Sequence, residues 1–388
     1  MTSSEPAPRN LAVLTGNGLS IAYNKKLELT SITSEAIDRI ENLSKEEGSV
    51  TNALKAIVEH AFTGPDSNDF EKLVGAFNYE EKSLMHLEEL AKALPTDGDL
   101  HESIRKTARF ARAVSTLGTR HTLEIILEHS KGSVEGMKKS GLYQWTKAVL
   151  DKFSGQVRFG NLNYDTLLLA TLLQMPRKHK DELSTLRNWG PSALESPDGR
   201  RIPTLYRKPQ DFPQDRRIQL LSMHGSLTYW YSPHHNDYVS LPVEDIRTHG
   251  FLKYDFSREI HEDSVKPYPA VVLTSQADKG GHVQRFPFSL AYEQFEAALR
   301  DSKHWLIVGY SFRDTCVNEL LHKVYCEKDS GDLPRILIST WGEELTEESV
   351  RKVFVGTSQD VTIERSGVKN LIETLEWERF AGPSDGQW

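Results

Sequence analysis

The 388-residue chain has only two cysteines, Cys316 and Cys326. That scarcity excludes a disulfide scaffold and a zinc site held by four cysteines, and it points to a reducing compartment. No apolar run approaches the roughly 20 residues needed to span a bilayer. The longest such stretches, among them Ala270-Val271-Val272-Leu273 and Trp305-Leu306-Ile307-Val308, have strand length. Residues Met1 to Asn10 are polar, carry two prolines and lack the apolar core of a signal peptide. A basic excess is also missing: 47 Lys and Arg stand against 55 Asp and Glu, a formal charge of −8. Tight binding along nucleic acid needs a basic face to neutralise phosphates, so strong direct nucleic-acid binding is not expected. These absences lead to the expectation of a cytoplasmic protein without a membrane segment.

What is present suits a globular fold. Hydrophobic residues make up 38% and charged residues 26%, and the length allows one large domain or two ordinary ones. Residues 1–10 read as a flexible tail. Leu11-Ala12-Val13-Leu14 has the character of a buried strand and runs into Thr15-Gly16-Asn17-Gly18-Leu19-Ser20, a turn before a helix start. Between residues 30 and 150 apolar residues recur at spacings of three and four, as in Ala53, Leu54, Ile57 and Val58, or Leu84, Leu87, Leu90 and Leu94. This pattern predicts a helical insertion forming a smaller subdomain. Strand-like runs resume at Gln156–Phe159, Ile218–Leu221, Ala270–Leu273, Trp305–Val308 and Arg335–Ile338, with Val361–Ile363 as a last one. Short, continuously apolar strands separated by crossovers predict an α/β fold, a Rossmann-like doubly wound parallel sheet. The core is therefore expected over 11–29 and 151–365, with a C-terminal segment over 366–388 whose end, from Ala381, is frayed. The polar stretches 176–217 and 231–267, rich in Pro, Arg and His, read as long loops or small excursions.

Four polar segments follow predicted strands. Gly16-Asn17-Gly18-x-Ser20 is a Gly-x-Gly turn that lets a backbone approach a phosphate, although it lacks the third glycine of the dinucleotide fingerprint. Asn161-Leu162-Asn163-Tyr164-Asp165 ends a strand before an apolar helix, where Asn163 or Asp165 can cap free N–H groups or face a ligand. His224-Gly225-Ser226 follows a third strand. Gly309-Tyr310-Ser311-Phe312-Arg313-Asp314, with Asn318 downstream, follows a fourth, and there Arg313 and Asp314 are candidates for a loop-fixing ion pair. A doubly wound sheet gathers such strand ends at one edge. Adjacent histidines rarely share an ion, so His234-His235-Asn236-Asp237 is read as a polar loop and no metal is expected. Ser226 beside His224 lacks the Gly-x-Ser-x-Gly elbow of a hydrolase triad.

Taken in order, these segments resemble the sirtuin-like (Sir2-type) NADase domains of bacterial antiphage defence systems. The resemblance extends to Asp69-Phe70-Glu71, an acidic–Phe–Glu segment at the helical insertion. It departs at Asn17, where alanine is common in sirtuins, and at Thr274-Ser275-Gln276-Ala277-Asp278-Lys279, which lacks a Gly-Thr-Gly. The resemblance implies NAD as substrate, cleaved to nicotinamide and ADP-ribose with water as acceptor. It implies Asn163 and His224 as catalytic residues, with Asp165 beside them as loop holder or direct participant. It places Gly16, Gly18 and Ser20 at the pyrophosphate and Gly309, Tyr310 and Ser311 near the adenosine half, and it counts Asn17 and Asp314 among the cofactor-binding residues. It further implies control by homo-oligomeric assembly or by a partner, such as a HerA-type hexameric ATPase or a short Argonaute, in abortive infection.

The residue types suit that chemistry. Loss of nicotinamide leaves a ribose with oxocarbenium-like character. An asparagine amide donates and accepts at once, and a neutral histidine accepts a proton near pH 7. Deacylating sirtuins normally carry a four-cysteine zinc module, and two cysteines cannot build one. The leading expectation is thus an NAD hydrolase. A non-catalytic NAD or ADP-ribose sensor and a zinc-free deacylase are the alternatives.

Overall fold

The computed structural model describes residues 8–44, 83–84, 86–92, 99–131, 134–190, 193–195, 199, 201–213, 215–233, 235–248, 267–273, 276–329, 331–354 and 361–382. Asp69-Phe70-Glu71 and the helical pattern around Ala53 to Val58 lie outside them.

Seven strands form one sheet. They are β1 (Leu11–Thr15), β2 (Val157–Asn161), β3 (Leu183–Thr185), β4 (Ile218–Ser222), β5 (His304–Val308), β6 (Arg335–Ser339) and β7 (Val361–Glu364). Their order is β7-β6-β5-β1-β2-β4-β3, and every neighbouring pair is parallel. The expected Rossmann-like sheet is therefore present. Its central strands are buried at every position because both faces are covered, which is why they read as continuous apolar runs.

Side chains on a strand alternate between faces, and the two cores follow that alternation. Leu11, Val13, Phe159, Leu220, Leu306 and Val308 point into one core. It is closed by α1 (Asn17–Tyr23), α2 (Leu29–Ser44), α3 (Asp99–His129), α4 (Gly141–Lys152) and α5 (Leu167–Leu173), through residues such as Leu19, Ile32, Ile126, Trp145 and Leu168. Ala12, Leu14, Leu221, Trp305 and Ile307 point into the other. There α6 (Gln276–Val283), α7 (Phe288–Asp301), α8 (Thr315–Cys326) and α9 (Glu347–Val353) supply Val283, Phe295, Leu321 and Val353. The helix α10 (Leu375–Ala381) returns Trp377 and Phe380 to the first core.

Several expectations are corrected. Ala270–Leu273 does not join the parallel sheet. The strand Tyr268–Val271 pairs antiparallel with Gly225–Ser232, in a second sheet that also holds Asp237–Ser240, Thr204–Leu205 and Arg187–Asn188. Of the two readings of the stretches 176–217 and 231–267, loops or small excursions, the structure shows the second: both contain short strands. These strands are two to four residues long and carry polar residues, so they give almost no periodic signal. No helix follows β4. The chain passes from Ser222 through Met223 and His224 directly into Gly225–Ser232.

Leu87 and Leu90, part of the expected helical pattern, lie on a helix and are exposed. The expected loose tail is tied down at its end: Arg9 donates to the carbonyls of Ala381, Gly382 and Lys152 and lies over the Phe153 ring. Ala381, expected in a frayed end, is buried as the last residue of α10. Among the described residues, no helix is long and apolar enough to cross a membrane.

Phe159 is fully buried in β2 and meets the Trp145 ring edge-on at 6.4 Å. Phe159→Ala should lower the unfolding free energy by about 3–5 kcal/mol, the usual cost of such a truncation. A urea titration followed by tryptophan fluorescence measures it, and an unchanged midpoint would contradict this account of the core.

Candidate functional site

The chain leaves β1 toward β2 but leaves β5 toward β6, although β1 and β5 are neighbours. Strand order therefore reverses between them, and loops diverge at their carboxyl ends to leave a crevice. The Gly16 turn follows β1 and the Gly309 turn follows β5. The two turns interlock. Gly16 N donates to Val308 O and Gly18 N to Gly309 O, each at 2.9 Å. A Cβ on Gly16 would lie 2.6 Å from Gly309 O, and one on Gly18 would lie 2.6 Å from Gly309 Cα. Gly309 itself has φ +63°, a left-handed conformation that other residues adopt only with strain. The Gly-x-Gly pattern is therefore required first by backbone packing across the switch point. Asn17 is half-buried there.

Asn163 stands two residues beyond Asn161, and His224 two residues beyond Ser222. Asn161 and Ser222 are paired on adjacent parallel strands, which lie about 4.8 Å apart. Both candidate catalytic residues thus follow the carboxyl ends of neighbouring parallel strands, at one edge of the sheet. Asn163 is braced from below: Thr15 Oγ1 donates to Asn161 Oδ1 at 2.8 Å, and Asn161 Nδ2 donates to Asn163 O at 3.1 Å. The Asn163 amide nitrogen donates to Gly16 O at 3.0 Å and to Ser20 Oγ at 2.7 Å. With that end engaged, the amide orientation is set and Oδ1 is its remaining polar atom. Ser20 in turn donates to Asp165 Oδ2, while Asp165 Oδ1 accepts from Leu167 N at the start of α5 at 2.9 Å. Both Asp165 oxygens are thus committed to loop contacts. Burial pushes its carboxyl above the usual range, and the Ser20 and Leu167 donors oppose that rise.

His224 is buried in a second cluster. Its Nε2 lies 3.1 Å from the Tyr292 hydroxyl on α7 and 3.4 Å from Asp314 Oδ2. The same Asp314 oxygen accepts from Lys279 Nζ on α6 at 2.9 Å. Asp314 Oδ1 caps α8 by accepting from Val317 N at 3.1 Å. Burial, with the Lys279 charge, lowers the imidazole from its ordinary value to about 3, and Asp314 only partly opposes this. His224 is therefore neutral at pH 7. Burial raises the Asp314 carboxyl, but His224 and Lys279 outweigh it, so that carboxyl lies below its usual range.

Lys279 and Tyr292 are the site residues that sequence reasoning missed. The cation paired with Asp314 is Lys279, where Arg313 was expected, and Arg313 is exposed. Tyr310 turns inward: its hydroxyl, with one proton to donate, lies 2.8 Å from Asn318 Oδ1 and 3.0 Å from Asp314 O, and its ring packs on Phe312. Its side chain holds the loop, while Ser311 is exposed. The Ser226 hydroxyl pairs with Thr228 Oγ1 at 3.1 Å. Cys316 and Cys326 both lie on α8. Among the described residues, no group of three or more His, Cys, Asp or Glu is placed to hold a metal ion.

The family model described as a SIR2-like domain matches residues 158–357, just over half of the chain. That range contains Asn163, Asp165, His224, Lys279, Tyr292 and Asp314, whereas Gly16–Ser20 precedes it. A comparison with curated proteins finds no match.

Ser20→Ala removes both the acceptor for Asn163 and a donor to buried Asp165. A lost buried hydrogen bond costs about 1–3 kcal/mol. The donor favours the ionised carboxyl, so the loss of stability should grow as the pH rises through the raised pKa of Asp165. Thermal melts of both proteins from acidic to alkaline pH test the sign.

Proposed function

The chain belongs to the SIR2-like domain family, and from that premise we propose that it is an NAD hydrolase, cleaving NAD to nicotinamide and ADP-ribose. One observation supports this reading above the others. A fixed amide, Asn163, and a neutral imidazole, His224, each follow by two residues the carboxyl end of one of two neighbouring parallel strands.

The residues present fit such a substrate. The crevice opens where α1 begins, and a helix start favours the anionic part of a dinucleotide. Ser311 is exposed beside it. When bound, NAD supplies a good leaving group, because departure of nicotinamide neutralises the pyridinium charge. The chain supplies the remainder. Asn163, held by Gly16 and Ser20, orients a water or a ribose hydroxyl through Oδ1. His224, neutral at pH 7, takes the proton as water adds. Asp165 is a positioning residue, since its oxygens hold the Ser20 hydroxyl and the start of α5. Fixed geometry and oriented dipoles lower most of the barrier.

The cysteines support consumption of NAD over transfer to an acylated peptide. The chain has two where a zinc module needs four, and both sit on one helix of the sheet core. On this reading the protein is an effector of an antiphage defence system and acts in the cytoplasm. It is silent until homo-oligomeric assembly, or a HerA-type ATPase or short Argonaute partner, releases it. The helices between residues 30 and 150 supply contacts for that assembly.

Nicotinamide release from NAD, followed by chromatography at high protein concentration and with each candidate partner, is the test. The wild-type chain should release it without any acylated peptide. Asn163→Ala and His224→Ala should each lower turnover at least about 100-fold, the scale of a lost general base, while the protein remains folded. Binding without release would establish the sensor alternative. Release only with an acylated peptide would establish the deacylase.

A further inference from the structure

Lys279 is a buried cation that the proposed reaction does not explain. Its side chain is 2% exposed and that of its partner, Asp314, 8%. Breaking a buried ion pair by removing one member is costly, because the other charge is left without compensation. The pair also reaches the imidazole. Asp314 Oδ2, at 2.9 Å from Lys279 Nζ, is 3.4 Å from His224 Nε2. The other Asp314 oxygen is fixed by Val317 N, and the Tyr310 hydroxyl lies 3.0 Å from the Asp314 carbonyl, so the carboxylate cannot swing away.

An ionised carboxylate only accepts hydrogen bonds. Facing a lone pair on Nε2 it would be repelled, whereas facing an Nε2–H it is satisfied. Tyr292, on the same nitrogen, can accept as readily as it donates. Asp314 therefore decides the tautomer, and the lone pair is left on Nδ1. Without a compensating cation the same carboxylate would draw a second proton onto the ring, and an imidazolium cannot act as a base.

We propose that Lys279 is a positioning residue: it compensates Asp314, which holds His224 as the Nε2–H tautomer and makes Nδ1 the atom that receives the proton. The inference rests on the hydrolase reading only for the step that uses Nδ1. In that step a C–O bond forms between water and the ribose carbon, and the ribose–nicotinamide C–N bond breaks. Its electron pair leaves on nicotinamide, and the water proton passes to Nδ1. Among the described residues, the ionisable groups facing the imidazole are Lys279 from α6, Tyr292 from α7 and Asp314 at the start of α8. Among them only Lys279 favours the uncharged ring through its charge.

Two measurements test this. In ¹⁵N NMR of protein labelled at histidine, with His224→Gln to assign the signal, His224 should show Nε2–H in the wild-type chain. A signal for Nδ1–H overturns the proposal whether or not the chain cleaves NAD. In kinetics, Lys279→Met should move the acidic limb of kcat/KM up by about one pH unit or more. Because the wild-type imidazole lies at about 3, that shift lowers the rate about tenfold on the acidic limb and leaves it almost unchanged at pH 7, with KM little changed. Lys279→Arg should keep the wild-type profile. An equal loss at every pH, or a rise in KM alone, overturns the proposal. Absence of nicotinamide release from the wild-type chain in every assembly sinks the hydrolase reading alone, and the NMR titration of His224 in Lys279→Met still decides the role of Lys279.

Discussion

One carboxylate, Asp314, ties together parts of the fold that are far apart in the chain. Oδ1 starts α8, and Oδ2 faces both Lys279 on α6 and His224 after β4. Its carbonyl anchors Tyr310 in the turn after β5. A buried charge is tolerated only when several partners satisfy it, and here those partners come from both sides of the crevice. The position of α6, the entry to α8 and the plane of the imidazole therefore share one constraint.

A second constraint is steric. Gly16, Gly18 and Gly309 allow two backbone turns to touch where the sheet reverses direction. That contact fixes the start of α1, which fixes Ser20. Ser20 then links Asn163 to Asp165. The glycine contact governs the amide half of the site and the Asp314 cluster governs the imidazole half. The two halves follow the carboxyl ends of the paired strands β2 and β4.

The parallel sheet was legible because strands covered on both faces cannot afford polar residues, so Leu11–Leu14 and Trp305–Val308 stand out as apolar runs. Asn163 and His224 were legible as polar residues placed directly after such runs. The second sheet was hidden, since its strands are short and lie in polar stretches. Lys279 carried no signal: it sits 35 residues before Asp314, the carboxylate it pairs with, in a segment without apolar periodicity. Tyr292 is one of several aromatic residues in the amphipathic pattern of α7, which gives its hydroxyl no sequence signal. The glycines were read correctly as a tight turn, but what presses on them is the chain's own backbone. Only the third dimension supplies that neighbour.

His224 occupies a seam of two residues between the sheets. The Met223 N–H before it donates to Asn161 O of the parallel sheet, and its own carbonyl accepts from Val272 N, next to the antiparallel one. Tyr164, one residue after Asn163, donates through its hydroxyl to Val272 O as well. The imidazole thus hangs from backbone that is bonded to both sheets. The small sheet is itself locked into both cores, through Leu227 and Trp230 in the first and Tyr229 and Ala270 in the second, so the angle of the ring is set by how the two sheets pack together.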